Sequence, residues 1–298
     1  MHGPQARDEA DREVGPAGLR PNSLQGRLVN RLAASPWWAI ALLLVGVAAY
    51  AYFFTDPLYR GILGIVSQGV QLTLRVTVVA YSLAMVIGLL AGIGRLSRHS
   101  LLYGVATLYV QVVRGIPTLT FILYVAYVLG PIALELLNGL GRSASGALGP
   151  DNWLATLSIR RIGRENISTI ALAIAYGAFQ AETFRAGIQS VSRGQIDAAH
   201  SLGMNTLQAM RFIILPQAVR VVLPPLGNDF ISLLKDTALL SALGGRDITG
   251  IARQHAQTTF LYVPIFNVVI VTYLTLTLLL SLLVKGIEHQ MSRSERAV

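Results

Sequence analysis

AQTTFLYVPIFNVVIVTYLTLTLLLSLLV, residues 256–284, runs for 29 positions without a charged side chain. A helix of about 17 to 25 predominantly apolar residues crosses the roughly 30 Å of hydrocarbon in a bilayer, so this stretch is long enough to span one. Three more uncharged stretches qualify in the same way: 37–54 (WWAIALLLVGVAAYAYFF), 76–94 (VTVVAYSLAMVIGLLAGIG) and 115–134 (GIPTLTFILYVAYVLGPIAL). Two weaker ones follow. Residues 166–188 are apolar apart from Glu182 and Arg185, and 217–245 apart from Arg220, Asp229, Lys235 and Asp236. The expectation is an all-α membrane protein of about six transmembrane helices, two of them carrying intramembrane charge.

Composition agrees. Of 298 residues, 53% are apolar and only 13% charged, with a mean hydropathy of +0.55; a soluble domain carries about 25% charge to wet its surface. The formal charge of +9 does not point to nucleic acid. The bases are Arg at all but Lys235 and Lys285, and they sit in short gaps between apolar runs, as membrane topology demands. There is no cysteine, hence no disulfide framework and no thiolate site. Residues 1–36 hold five Arg and four acids among Gly and Pro, the composition of a disordered tail.

Arg and Lys are biased towards cytoplasmic loops. With both termini inside, 15 bases fall on the cytoplasmic side and seven outside, with Arg75 and Lys235 within spans. The longest external connection is then 138–165, rich in Gly and Ser and expected to be irregular or to carry one short surface helix. Residues 100–114 (SLLYGVATLYVQVVR) form a short amphipathic segment before Pro117. They read as an interfacial helix feeding the third span.

The cytoplasmic stretch between spans four and five, 194–217 (GQIDAAHSLGMNTLQAMRFIILPQ), has the local signals of two helices around a turn. Gln195–Ser201 suits the first. Gly203 offers the left-handed conformation that ends it, Asn205 or Thr206 caps the second, and Pro216 stops that helix after Leu215. Ala198 and Ala199 leave one face of the first helix without bulk, as suits an element that docks on another protein.

Residues 197–216 resemble the EAA loop of importer-type ABC permeases: Glu-Ala-Ala, three residues, Gly, nine residues, Ile, one residue, Leu-Pro. Asp197, Ala198, Ala199, Gly203, Ile213, Leu215 and Pro216 match at full spacing, with Asp197 replacing Glu and shortening the carboxylate's reach. The resemblance extends to the polar amino-acid branch of these permeases. It runs through Gly69 with Thr73-Leu74, Tyr109-Val110-Gln111, Arg114-Gly115-Ile116-Pro117, Glu182-Thr183-Phe184-Arg185-Ala186-Gly187-Ile188 and Lys235-Asp236-Thr237, covering about residues 62–290. The resemblance implies a five-helix permease core plus one extra N-terminal span at 37–54, with 291–298 as a C-terminal tail. It implies a prokaryotic plasma (inner) membrane location and a cytoplasmic coupling helix in the loop 194–216, where Asp197, Ala198, Ala199, His200, Gly203, Leu215 and Pro216 dock an ABC ATPase subunit dimer. A second permease subunit, either a copy or a paralogue, and an external amino-acid-binding protein complete the implied assembly. ATP and Mg belong to the partner: both lysines lie outside any Gly-Lys-Ser/Thr, so the chain has no P-loop and no cofactor of its own.

A charge at the centre of a span costs about 2.5 to 3.5 kcal/mol on insertion scales, so each needs a partner or a wet path. Asp229 and Asp236 are two helical turns apart and share a face; Asp229 is either a substrate contact, with Asn228 beside it, or half of a structural ion pair. Glu182 and Arg185, three apart, either neutralise each other or present a carboxylate to a substrate ammonium. Pro224-Pro225 and Gly227 are expected to interrupt span five. No His spacing suits a metal and no catalytic constellation assembles, so an enzyme is not expected. The alternative is a self-sufficient secondary transporter or channel, which would have no use for a docking loop.

Overall fold

The computed structural model describes residues 37–144, 153–158 and 162–293, and among these all regular structure is helical. The expected tail 1–36 and part of the connection 138–165 lie outside the described residues. Helix α1 (Trp37–Thr55) belongs to a unit of its own ending at Asp56, and the chain from Pro57 onward forms a second compact unit. At 19 residues α1 is about 28 Å long, and it is apolar on every side. In the second unit come α2 (Pro57–Ser67), α3 (Val70–Gly94), α4 (Ser100–Gly115), α5 (Thr118–Tyr124) and α6 (Gly130–Ser143). They are followed by α7 (Arg164–Gln189), α8 (Arg193–Ser201), α9 (Thr206–Ala209), α10 (Leu215–Asp236), α11 (Ile248–Thr259) and α12 (Tyr262–Arg293).

By length and composition, four helical stretches can cross a bilayer: Pro57–Gly94, Thr118–Ser143, Thr206–Leu243 and Tyr262–Ile287. The 26-residue α7 is not among them, for a physical reason. It is the core of the bundle, and its buried face includes Ser168, Thr169 and Gln180 among alanines and glycines. The two hydroxyls return their bonds to the Arg164 and Glu165 carbonyls. A helix that meets protein on most sides has no need of lipid-grade hydropathy, and its small residues let backbones approach closely.

Helices α3 and α7 run parallel. A Cβ on Gly88 would lie 2.7 Å from Gln180 Cβ, and one on Gly92 2.9 Å from the Ala181 carbonyl oxygen. The cytoplasmic loop candidate follows the C-terminus of α7, so the starts of α3 and α7 mark the opposite end of the bundle. There Gly69 is needed for contact: a Cβ would sit 2.5 Å from the Ile248 nitrogen, whose N–H donates to Thr73 Oγ1 at 3.3 Å.

Several expected boundaries move. Span two begins at Val70 and not at 76, because α2 and α3 form one long apolar stretch broken only around Gln68 and Gly69. Residues 100–115 are helical as expected, and the helix packs on α7: the Tyr109 hydroxyl donates to the Ile174 carbonyl at 2.6 Å. The third span starts at Thr118, after extended Ile116 and Pro117, and reaches Ser143, so the connection expected from 138 begins as helix.

Pro216 does not stop a helix. A π-helical turn, Met210–Ile214, leads straight into α10 with the proline in its first turn. The Leu215 N–H bonds the Met210 carbonyl, and the wider turn accommodates a residue with no N–H. The same device precedes Pro131, where the π turn Val125–Leu129 leads into α6. Nor do Pro224-Pro225 interrupt span five: α10 continues through both, and Gly227 provides close packing, with an added Cβ 2.4 Å from Val284 Cγ1. The 256–284 run is divided instead. Asp247 caps α11 by accepting the Thr249 N–H at 3.0 Å, Phe260 ends it in the left-handed conformation (φ 59°), and α12 opens at Tyr262 with Pro264 in its first turn.

Candidate functional site

The polar residues expected within the spans fall into two separate groups. The first gathers on Asp229 of α10. Its carboxylate is half-buried, and Oδ2 has no hydrogen-bond partner among the described residues. Tyr81 of α3 faces it: the hydroxyl donates to the Leu226 carbonyl at 2.8 Å, and the ring meets Phe230 edge-on at 4.8 Å between centroids. Tyr176 of α7, 5% exposed, donates to Asp236 Oδ2 at 2.8 Å. Asp229 is within electrostatic reach of both tyrosines. The shared face of Asp229 and Asp236 is therefore turned to α3 and α7, while Lys235 and Asn228 are exposed. The unmet Oδ2 of Asp229 is an acceptor that a cation such as an ammonium group can meet, whereas Asp236 Oδ2 is already taken by Tyr176.

The second group gathers on Glu182. Arg185 donates to both carboxylate oxygens, its Nε reaching Oε2 at 3.3 Å. Arg95, just beyond the end of α3, donates to Oε2, and Arg114 at the end of α4 stands 4.0 Å from the same atom. Arg114 also lies over the Phe179 ring, and Arg185 donates to Gln189. One carboxylate thus ties the ends of α3 and α4 to α7 next to the loop. No ion pair or hydrogen bond among the described residues joins this group to Asp229.

The loop itself is fixed by local bonds. Ser192 caps α8 by accepting the Gln195 N–H. Gly203, at φ +83°, turns the chain out of it, with Gly203 N–H bonded to His200 O and Met204 N–H to Ala199 O, a Schellman closure. His200 Nδ1 lies 2.9 Å from the Met204 carbonyl oxygen, which pins the ring on the turn. Asn205 and Gln208 exchange side-chain and backbone bonds at 2.9 Å in a capping box. Ala199 is buried, whereas Asp197, Ala198 and His200 are exposed, as are Leu215 and Pro216. Leu202, Leu207 and Phe212 are 81%, 78% and 60% exposed, an apolar surface presented by a polar loop.

Sequence reasoning named Glu182, Arg185, Asn228 and Asp229 together, and the structure brings only the first two into one network. It did not name Tyr81, Tyr176 or Arg95, and it met Arg114 only within the motif Arg114-Gly115-Ile116-Pro117, not as a site residue. Tyrosines inside apolar runs, each needing a partner for its hydroxyl, were the readable signal for the first two; nothing local signals that Arg95 and Arg114 meet Glu182.

Comparison with known proteins gives the setting. A family model described as binding-protein-dependent transport system inner membrane component matches residues 84–293. The chain is 34% identical over 229 residues to the probable glutamine ABC transporter permease protein GlnM of Bacillus subtilis, covering 76% of this chain and 93% of the relative. It is 30% identical to the glutamine transport system permease protein GlnP of Escherichia coli, covering 75% and 91%. Among solved structures, a crystal structure of an amino acid ABC transporter with histidines is similar at a TM-score of 0.63 and 30% identity, over 80% of this chain and 98% of that one.

Proposed function

The chain belongs to the family of binding-protein-dependent transport system inner membrane components, and from that premise we propose that it carries a polar amino acid across the inner membrane. It is a permease subunit of an ABC importer and not the ATPase. The secondary-transporter alternative falls with the family. In this reading six helices cross the bilayer, α1 and α7 included, with both termini and the loop 192–216 in the cytoplasm. Two copies, or this chain and a paralogue, pair in the membrane. An external binding protein supplies the solute, and two ATPase subunits with their ATP and Mg dock on the loops.

The observation that carries the substrate assignment is the unmet Oδ2 of Asp229, within electrostatic reach of Tyr81 and Tyr176. A carboxylate without a partner costs several kcal/mol in a low-dielectric interior, and a substrate ammonium offsets that cost. Asn228 supplies an exposed amide beside it. Glu182 already has guanidinium donors on both oxygens, which supports the pairing reading for Glu182 and Arg185: they clasp the helix ends and pass loop movement to α3 and α4. Docking is supported by the exposed apolar knobs Leu202, Leu207 and Phe212 on a loop whose bonds are all internal.

The test is purification of the tagged chain with its co-purifying subunits, followed by reconstitution in vesicles with the external binding protein. ATP-dependent uptake of labelled L-glutamine or another polar amino acid is expected, and an ATPase subunit is expected among the co-purifying chains. Uptake that proceeds without ATP, or a complex lacking any ATPase, overturns the reading.

A further inference from the structure

At the end of the bundle opposite the coupling loop lies a polar cavity of about 370 Å³, within the roughly 300–1,000 Å³ range of small-molecule sites. The break before α3 contributes Gln68, the start of α3 contributes Gln71 and Arg75, the start of α7 contributes Glu165, and the turn before α11 contributes Arg246, with buried Ile251 behind. None of Arg75, Glu165 and Arg246 forms an ion pair among the described residues. Arg75 and Arg246 are exposed and Glu165 is half-buried, so charges of both signs line this concavity, open to a solute that enters it.

We propose that this cavity is a receiving site for the α-ammonium and α-carboxylate of the incoming amino acid, ahead of the Asp229 cluster; the proposal rests on the transport reading above. Arg75 and Arg246 match a carboxylate, for which a guanidinium is the preferred bidentate partner. Glu165 matches an ammonium, and the amides of Gln68 and Gln71 serve either group. Arg75 precedes Tyr81 by six residues on α3 and Glu165 precedes Tyr176 by eleven on α7, about 9 and 16 Å at 1.5 Å per residue. The cavity is therefore a site distinct from the inner cluster. Because it reads the groups common to all amino acids, it does not select the side chain; selection is left to the delivering protein and to the inner site. The same zwitterionic chemistry is offered by an ethanolamine lipid headgroup, so the source must be distinguished.

The test uses the full complex in nanodiscs free of ethanolamine lipid, with Asp229→Asn to silence the inner site, and saturation-transfer NMR of free ligands. L-glutamine and L-arginine are expected to bind alike. 4-Aminobutanamide, which is glutamine without its carboxylate, is expected to bind about tenfold or more weakly, the loss of one charge-assisted pair. That comparison needs no further change to the protein. Glu165→Gln and the pair Arg75→Gln with Arg246→Gln are each expected to lose the signal while the external binding protein still docks with unchanged affinity. The proposal is overturned if neither amino acid binds or if 4-aminobutanamide binds as well as glutamine. It is equally overturned if only ethanolamine lipid occupies the cavity, or if the variants weaken protein docking and leave amino-acid binding intact. Uptake by the unmodified complex separates the two readings: no import fails the transport reading, whereas import with a cavity blind to both amino acids fails this proposal alone.

Discussion

The loop 192–216 and the Asp229 cluster are built on opposite principles. In the loop every defining bond joins residues at most five apart: the Ser192 cap, the Schellman closure at Gly203, the ring of His200 on Met204, and the Asn205–Gln208 box. Around Asp229 the defining contacts join positions far apart, Tyr81 to Leu226 and Tyr176 to Asp236, and they draw on three helices. The loop holds its shape alone and offers its apolar side chains outward. The cluster exists only when the bundle is packed, and it leaves one carboxylate oxygen unmet inside. A self-contained surface suits rigid docking; an incomplete interior suits a ligand that completes it.

The strongest way to break this contrast is to remove the unmet charge. Asp229→Asn keeps the shape and is expected to lower uptake by about 30-fold or more, since losing one partner of a desolvated pair costs about 2–5 kcal/mol. Basal ATP hydrolysis should persist because the loop is untouched. Uptake within a few-fold of the unmodified complex would make Asp229 structural. Next comes Gly203→Val. A β-branched residue at φ +83° opposes the turn by roughly 1–2 kcal/mol, so substrate-stimulated hydrolysis should collapse while the chain still inserts and binds solute. Stimulated hydrolysis at the normal rate would detach the loop from coupling.

Glu182 sharpens the comparison because it lies between the two regions. Glu182→Gln leaves Arg95, Arg114 and Arg185 facing one another, so the complex should melt several degrees lower and turn over several-fold more slowly. The half-saturating solute concentration should stay unchanged. A shift in that concentration would assign Glu182 to the substrate.

Asp247 provides the acid-by-acid control for Asp229. Burial pushes its carboxyl up to about 6, against its local cap bonds, which act the other way. A raised carboxyl favours the protonated folded form, so its contribution is complete below about 4 and is lost as pH rises through 6. Asp247→Asn should therefore flatten the melting temperature between pH 4.5 and 7 relative to the unmodified chain, and an unchanged slope would remove Asp247 from that dependence. The smallest expected effect is that of Asn205→Ala: about 1 kcal/mol for a lost cap, read as faster amide exchange at Leu207–Ala209 with uptake nearly unchanged.

What the sequence determined by itself is what short-range chemistry determines. Apolar length made this a membrane helix bundle, Gly203 and Asn205 marked the turn and the cap, Pro117 marked a break, and the motif around Asp197 to Pro216 led to the family. Where reading failed, the missing information lay in contacts or in a neighbouring turn. Pro216 looked like a stop because the π turn that accommodates it leaves no pattern in apolar periodicity. The run from 256 looked continuous because Phe260, which ends α11 before α12 opens at Tyr262, acts through backbone geometry that apolar length does not record. The polarity of α7 looked like a weak span because burial against α3 is invisible in hydropathy. Only the tertiary structure decided that Arg95 and Arg114 share Glu182, that Tyr81 reaches Leu226 and Tyr176 reaches Asp236, and that Arg75, Glu165 and Arg246 open onto one cavity. Side-chain charge is written in the sequence, but which charges meet is fixed by how the parallel helices α3 and α7 pack at Gly88 and Gly92.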